Sequence, residues 1–545
     1  MPKIEVPLKD LLSLSGLKGT EGLEEMLEPL KAELDGVSED VVKIELNDTN
    51  RPDLWTAEGV ARALRCYRSF RSEKHLDDLG TSDKTITVSS ELKEIRPFIA
   101  AFTATGWTVD RDGLDSLIAA QEKLASSFGK ERRTAAIGFY SLDRITFPVS
   151  YETASPNTVF QPLGEETEMT FAGVLEETET GMKYAGLLKD FKAYPVLRDS
   201  AGEILSFPPV LNSNFTGRVE PGHSRLFCEV TGTDWHTVNL TLTILACCLE
   251  DRGARIEPVA INYHTGKVVT PVIYSDTLTV DLNEISSVIG VDAQKLDIEK
   301  LLSRMDYSEV RVEGNSVTAV MPPYRRDGIH PADLIEDVAI ACGLNNLEPL
   351  LPSEYTVGAS APSELLASAV KTLLVGLGCE EIIRPVLTSC EKICDLTATP
   401  EPPVAIKNPM TLEYGVVTNT LLPALLEVES VSGYAAFPHD LFTVGEVLLR
   451  KDDGTVHTEM NLAVTSGDSD FGRVHSILGA LCHYRDMELV LEDADDSRFI
   501  PGRSARVLIN GNKAGILGEI RPEVIESWGI AVPVAGFEIS LKSLS

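Results

Sequence analysis

The sequence predicts a multidomain α+β protein. Its 545 residues and 59.3 kDa exceed what one core organises, since domains run to roughly 100–200 residues, and about three to five are expected. Hydrophobic residues at 43% and charged residues at 24% match soluble globular chains, which excludes wholesale disorder. The pattern also changes character along the chain, and breaks rich in Gly, Pro, Ser and Thr divide it into spans 1–80, 81–272, 273–350 and 351–545.

The first span reads as a strand over Lys3 to Pro7, one or two helices, a strand over Val41 to Leu46, a polar turn, and a helix from Ala57 to Phe70 with Thr56 as its N-cap. A break at 79–83 follows. Alternating residues then predict strands at Thr85 to Val88 and Ile99 to Val109, a helix over Leu114 to Phe128, and many short strands up to about residue 271. The third span is a compact unit: a strand near Thr279, helices Leu282 to Ile289 and Ile298 to Met305, a β pair within Glu309 to Met321, and a helix after Asp333 that stops at Gly343. The last span alternates helices with long apolar strands and carries no repeat at fixed period.

Charge narrows the function classes. With 49 Lys and Arg against 83 Asp and Glu, the net charge is −34, and a field of that sign repels polyanions over most of the surface. Contact with nucleic acid is therefore expected to be local or made by a partner. The nine cysteines are odd in number and contain no C-x-x-C pair, which predicts reduced thiols, a cytoplasmic location and no zinc site. The longest apolar stretch, Leu240 to Leu249, is half of what a membrane span needs and reads as a core helix.

Two runs concentrate polar chemistry. Asn47-Asp-Thr-Asn-Arg-Pro-Asp53, followed by Ala57-Glu-Gly-Val-Ala-Arg62, is a rigid turn before a capped helix, since Asn and Asp bond their own backbone and Pro52 fixes φ. Far along the chain stands Pro322-Pro-Tyr-Arg-Arg-Asp-Gly-Ile-His-Pro-Ala-Asp-Leu-Ile-Glu-Asp-Val-Ala-Ile-Ala-Cys-Gly343. Here two readings stand side by side. Asp333 to Glu336 has the spacing of a capping box. Alternatively, Asp333, Glu336 and Asp337 share an arc of about 100° opposite the apolar face of Leu334, Ile335, Val338, Ala341 and Cys342. Like charges so close repel unless something positive sits among them. With Asp327 from the preceding turn they offer four hard oxygen donors of the kind Mg²⁺ prefers. Ile340 lies on the acidic arc and hints at contact with another chain.

In the second span, Phe207 to Asn214 and Leu226 to Asp234 are apolar runs ending in small polar groups that either cap turns or line a pocket mouth. The last span carries Asn408 to Leu426 and Asp440 to Val447. It shows no arginine set near Asn419 that would grip ATP phosphates, and the chain has no P-loop, G-x-S-x-G or H-E-x-x-H motif.

These strings, in this order, resemble the phenylalanyl-tRNA synthetase β-subunit family of the archaeal and eukaryotic type. The first run matches its N-terminal signature and Pro322 to Gly343 its small-domain signature. Gln121-Glu-Lys-Leu, Ala136-Ile-Gly138, Ser206-Phe-Pro-Pro-Val and Glu229-Val-Thr-Gly-Thr-Asp234 resemble its editing domain. The resemblance implies an N-terminal α/β domain over 1–80, a tRNA-editing domain over 81–272, a small winged-helix-like, Mg²⁺-binding domain over 273–350, and a non-catalytic class II synthetase-like antiparallel core over 351–545. It implies an α2β2 complex that uses ATP and Mg²⁺ to charge tRNA(Phe) on the α subunit, while β supplies scaffold and proofreading of Tyr-tRNA(Phe). Family editing-pocket positions carry over to Leu205, Asn212, Ser213, Thr231, Thr233 and Asp234, and the family's magnesium positions to Asp327, Asp333, Glu336 and Asp337. Related chains commonly read Val-His-Asp after Ala-Ile-Gly where this one has Phe139-Tyr-Ser141, so no histidine there acts as base. A stand-alone deacylase and a non-enzymatic nucleic-acid-binding scaffold are the alternatives. The first would not require the synthetase-like last span, and the second is disfavoured by the lack of a basic helix.

Overall fold

The strand Val41–Leu46 lies between Lys3–Pro7 and Ala32–Val37 in a three-stranded antiparallel sheet. Alternation directs Ile4, Val6, Val42, Ile44 and Leu46 into the interior. The computed structural model describes residues 3–47, 50–77, 79, 83–451 and 453–545. Asp48 and Thr49 of the N-terminal run, and Gly80, Thr81 and Ser82 of the first break, lie outside them. The helix Ala57–Ser69 starts where expected, the Thr56 hydroxyl accepting the Gly59 N–H at 3.0 Å. A Cβ on Gly59 would lie 1.8 Å from the Asp53 carbonyl oxygen, so glycine alone lets the turn Pro52–Trp55 fold back onto the helix start.

A ten-stranded sheet dominates the next segment. Its order runs Leu211–Asn212, Ile204–Phe207, Tyr194–Arg198, Val149–Ala154, Thr85–Val88, Arg255–Tyr263, Phe98–Thr105, Arg225–Gly232, Ala136–Ser141, with Gly266–Thr270 paired to Arg255–Tyr263. The strand expected over 99–109 ends at Thr105, where Gly106 takes a φ of 94°. The helix expected from Leu114 begins at Arg111, because Asp110 accepts the Gly113 N–H at 2.8 Å.

The long helix Trp235–Asp251 contains the apolar stretch singled out above, and Val238 to Leu249 are buried without a break. One side rests on Ala100, Phe102, Ala104 and Val230 of the sheet, the other meets Val60 and Leu64 of the helix Ala57–Ser69 in one continuous core. A helix covered on two sides is apolar all round. Buried ion pairs tie these helices together and to Asp10 of the first segment: Arg62 to Asp251 at 2.7 Å, and Arg252, just past the long helix, to Asp10 at 2.6 Å and to Glu58 at 2.5 Å. Since removing one partner strands a buried charge, these pairs fix how the helices face each other.

The third segment is a three-stranded sheet, Thr277–Asp281, Ser316–Val320, Ser308–Glu313, packed on helices Leu282–Ile289, Ile298–Arg304 and Pro331–Cys342. The last helix begins before Asp333 because His330 is its N-cap and Pro331 its first residue, and it ends at Gly343 with φ 83°.

These segments belong to one compact unit, Met1–Leu350; Leu351–Ser545 form a second. The second unit is built on a seven-stranded sheet of order Glu380–Glu381, His439–Arg450, Val456–Gly467, Val534–Ser540, Asn512–Ile520, Phe499–Ile509, Leu489–Asp493. Every pair is antiparallel except the first. Phe442, Leu462 and Val464 face helices Pro362–Gly376 and Phe471–Tyr484, whereas Leu441 and Ala463 face helix Leu422–Val431. Among the described residues no helix is long and apolar enough to cross a membrane.

Candidate functional site

The acidic run of the small sheet segment is organised around a guanidinium. Arg325 donates through Nε and Nη2 to both oxygens of Asp327, at 3.0 and 2.6 Å, and its Nη2 also lies 2.9 Å from Asp337 Oδ2. Tyr307 donates its hydroxyl to the same Asp337 oxygen at 2.8 Å. Burial pushes the Asp327 carboxyl up, but the charge and hydrogen bonds of Arg325, with Arg51 beyond it, outweigh this and hold it down to about 2. Asp333 serves the helix start: its Oδ2 accepts the Ile329 and His330 N–H groups at 2.8 Å each, and His330 Nδ1 accepts from Ala332 at 3.1 Å. The capping box is therefore real but begins at His330, three residues before the expected Asp333, and Glu336 is free of it. Glu336 instead takes Lys31 of the first segment at 2.8 Å.

Tested as a magnesium cage, the four carboxylates do not fit. No three of them bring oxygens within 4.8 Å of one another, and an ion would have to displace Arg325 from Asp327 and Asp337. The positive group that the charge pattern demanded is on this chain. Asp337 is buried rather than exposed, and Ile340 is covered within its own unit, where the Tyr67 hydroxyl donates to its carbonyl at 3.4 Å. The acidic arc faces the N-terminal segment, so Ile340 is no sign of another chain.

The six residues expected to line an editing pocket divide in two. Asp234 caps the long helix, its Oδ2 accepting from the Thr237 N–H at 2.8 Å and hydroxyl at 2.7 Å, and these bonds hold its carboxyl below the ordinary range. Thr233 donates to the Arg133 carbonyl at 3.1 Å. Thr231 is buried, its hydroxyl accepting from Arg96 Nε at 3.0 Å. Ser213 shares a 2.9 Å hydroxyl bond with Thr216 and donates its N–H to the carbonyl of buried Leu205 at 2.8 Å. The turn-capping expectation thus holds for Asp234 and Ser213.

Asn212 belongs to a different group, which sequence reasoning missed. Tyr140 donates its hydroxyl to Glu229 Oε1 at 3.0 Å and approaches Asn212 Oδ1 at 3.3 Å. Glu229 is buried, and burial pushes its carboxyl up to about 8 despite Tyr140 and Arg96, so it is protonated at neutral pH. Its Oε2 has no hydrogen-bond partner among the described residues. Burial likewise lowers Arg96, to about 10. Strand pairing sets Gly138 opposite Glu229, and a Cβ there would lie 2.3 Å from the Tyr140 hydroxyl. The signal for Glu229 is a carboxylate inside the apolar run Leu226 to Val230 of the strand Arg225–Gly232.

In the second unit, Asn419 donates to the Glu401 carbonyl at 2.9 Å and shares the lining of a cavity of about 540 Å³ with Arg498, Arg506 and Lys513. Arg498 lies close in space though distant in sequence. Its fork is already taken by Asp496, at 2.9 and 2.8 Å.

Comparison with known proteins decides the family. The chain is 37% identical over 554 residues to the phenylalanine–tRNA ligase beta subunit of Pyrococcus abyssi, covering 100% of each. It belongs to the phenylalanine–tRNA ligase beta-subunit family. The Pyrococcus horikoshii and Thermococcus kodakarensis subunits are each 35% identical, covering 100% of this chain and 100% and 99% of their own lengths. The tRNA synthetase B5 domain model matches 278–344 of this beta subunit, and the phenylalanyl tRNA synthetase beta chain CLM domain model matches 347–541. An N-terminal fragment of the Pyrococcus horikoshii phenylalanyl-tRNA synthetase beta subunit superposes with a TM-score of 0.61 at 37% identity, covering 63% of this beta subunit and 100% of the fragment. The expected mixed α/β multidomain architecture of this beta subunit is thereby borne out.

Proposed function

We propose that this beta subunit assembles with a catalytic alpha subunit as an α2β2 phenylalanine–tRNA ligase in the cytoplasm, and that it hydrolyses Tyr-tRNA(Phe) at the Tyr140, Glu229, Asn212 cluster. The full-length relationship supports the ligase assignment. The observation that carries the proofreading reading is the buried Glu229 carboxyl, raised to about 8 and held by the Tyr140 hydroxyl at 3.0 Å, whose Oε2 has no hydrogen-bond partner among the described residues.

An apolar phenylalanine site rejects tyrosine poorly, because adding a hydroxyl costs little there. A site built to hydrogen-bond that hydroxyl rejects phenylalanine strongly, because its buried polar groups are left unpaired. Glu229 acts as donor to the tyrosine hydroxyl while Tyr140 and Gly138 fix its carboxyl. Leu205, Thr231, Thr233, Asp234 and Ser213 hold the strand ends and the helix start around it. Water attacks the ester carbonyl, the bond to the terminal ribose breaks, and the ribose oxygen takes up a proton.

ATP and Mg²⁺ serve phenylalanine activation on the alpha subunit. The pairing of Arg498 with Asp496 supports a silent synthetase-like sheet in the second unit, since a phosphate would have to compete with that carboxylate. Segments 1–80, 81–272, 273–350 and 351–545 act as anchor, editing sheet, small Arg325-centred domain and docking core. Reconstitution with an alpha subunit tests the assignment: phenylalanine charging requires both chains, and full charging by the alpha subunit alone contradicts it.

A further inference from the structure

His75, Cys247 and Glu250 converge from two distant segments, with one ligand atom of each within 4.8 Å of the other two. Cys247 and Glu250, three apart on the helix Trp235–Asp251, share one helical face. His75 follows the helix Ala57–Ser69, and its Nδ1 lies 4.0 Å from Glu250 Oε2. None of the three belongs to the clusters described above.

A second observation orients the histidine for a ligand. His75 Nε2 lies 2.8 Å from Asp306 Oδ2, and Asp306 also accepts from the Tyr324 hydroxyl and from the Glu73 N–H at 2.7 Å. With Nε2 bonded to that carboxylate, Nδ1 is the ring nitrogen left to face Glu250. This is the carboxylate, histidine, metal arrangement by which outer partners orient ligands. Among the described residues Glu250 accepts the Leu76 N–H, at 3.1 Å. His75 and Glu250 line a cavity of about 580 Å³ that gives an ion access and a place for water. The neighbouring Arg62 charge is matched by Asp251 at 2.7 Å.

We propose that His75 Nδ1, the Cys247 thiolate and a Glu250 oxygen, with one water, hold a single Zn²⁺ ion that ties the N-terminal segment to the long helix. Zinc takes mixed N, S and O ligands in a tetrahedron, and its bond lengths of about 2.0–2.3 Å draw ligand atoms to roughly 3.3–3.8 Å apart, a modest contraction of this group. Binding releases the Cys247 thiol proton to solvent, and thiolate and carboxylate together balance the ion's charge. Cysteine spacing gave no hint of this, because the three ligands come from positions 75, 247 and 250 and only one is a cysteine.

Metal-free full-length chain titrated with Co²⁺ tests the site. The expected result is one Co²⁺ per chain with a thiolate-to-cobalt charge-transfer band that Zn²⁺ abolishes, lost in Cys247→Ser and His75→Gln and kept in Cys248→Ser. Cys248 is a suitable control because its Sγ contacts the Thr56 hydroxyl at 3.4 Å. Zn²⁺ should raise the thermal midpoint of the wild type and leave Cys247→Ser unmoved, with the metal-free midpoints of the two alike. Failure to bind Co²⁺ stoichiometrically, a band that persists in Cys247→Ser, or an equal Zn²⁺ response in both proteins overturns the proposal.

Discussion

The Arg325 guanidinium lies 2.9 Å from an Asp337 oxygen while holding both oxygens of Asp327. One side chain of this chain thus neutralises two of the four carboxylates that the sequence pattern offered to a metal. Replacing Asp337 by Asn removes a charged partner from a buried guanidinium and should lower stability by roughly 1.5–3 kcal/mol, the range for hydrogen bonds to charged groups. Urea unfolding with and without Mg²⁺ measures it. Recovery on adding Mg²⁺ would restore the metal reading.

Asp234 gives a test of cap against ligand. Asp234→Ala loses an N-cap and should cost about 1 kcal/mol, whereas Asp234→Asn keeps a good cap and should cost a few tenths at most. If both variants keep the wild-type rate of Tyr-tRNA(Phe) hydrolysis, the role of Asp234 is structural. A rate collapse in the stable Asn variant would put Asp234 in contact with substrate.

Glu229 predicts a pH dependence. Its carboxyl is raised from 4.5 to about 8 on folding, so the native state holds a proton that the unfolded state releases. Stability is unpenalised below about pH 4.5 and falls as pH rises toward 8, at up to about 1.4 kcal/mol per pH unit. Glu229→Gln, which cannot ionise, should gain on the wild type across that window and hold a constant difference above it. Thermal unfolding from pH 4 to 9 reads this directly, and a difference independent of pH would mean that Glu229 ionises normally.

Local chemistry was legible and distant partnership was not. The Thr56 cap, the stop at Gly343 and the buried helix around Leu240 to Leu249 depend on neighbours within a few residues, so composition and period revealed them. The small-domain box opens at His330 rather than Asp333 because an imidazole nitrogen caps a helix as a carboxylate does. Arg96 and Glu229 act through partners far off in sequence: Arg96 meets Thr231 across 135 positions, Glu229 meets Tyr140 across 89, and Arg498 meets Thr420 across 78. No spacing rule brings such pairs together. The motif strings marked the right regions because the glycines and prolines that shape the strand ends are written locally, while the buried groups they enclose are not.

Proofreading at Glu229 is best tested by deacylation of preformed Tyr-tRNA(Phe) by the reconstituted ligase. The account predicts that Glu229→Ala, which deletes the donor, slows hydrolysis by at least about tenfold, the equivalent of roughly 1.4 kcal/mol for a lost hydrogen bond, with phenylalanine charging unchanged. Equal deacylation rates in wild type and Glu229→Ala, with both proteins folded, would contradict it.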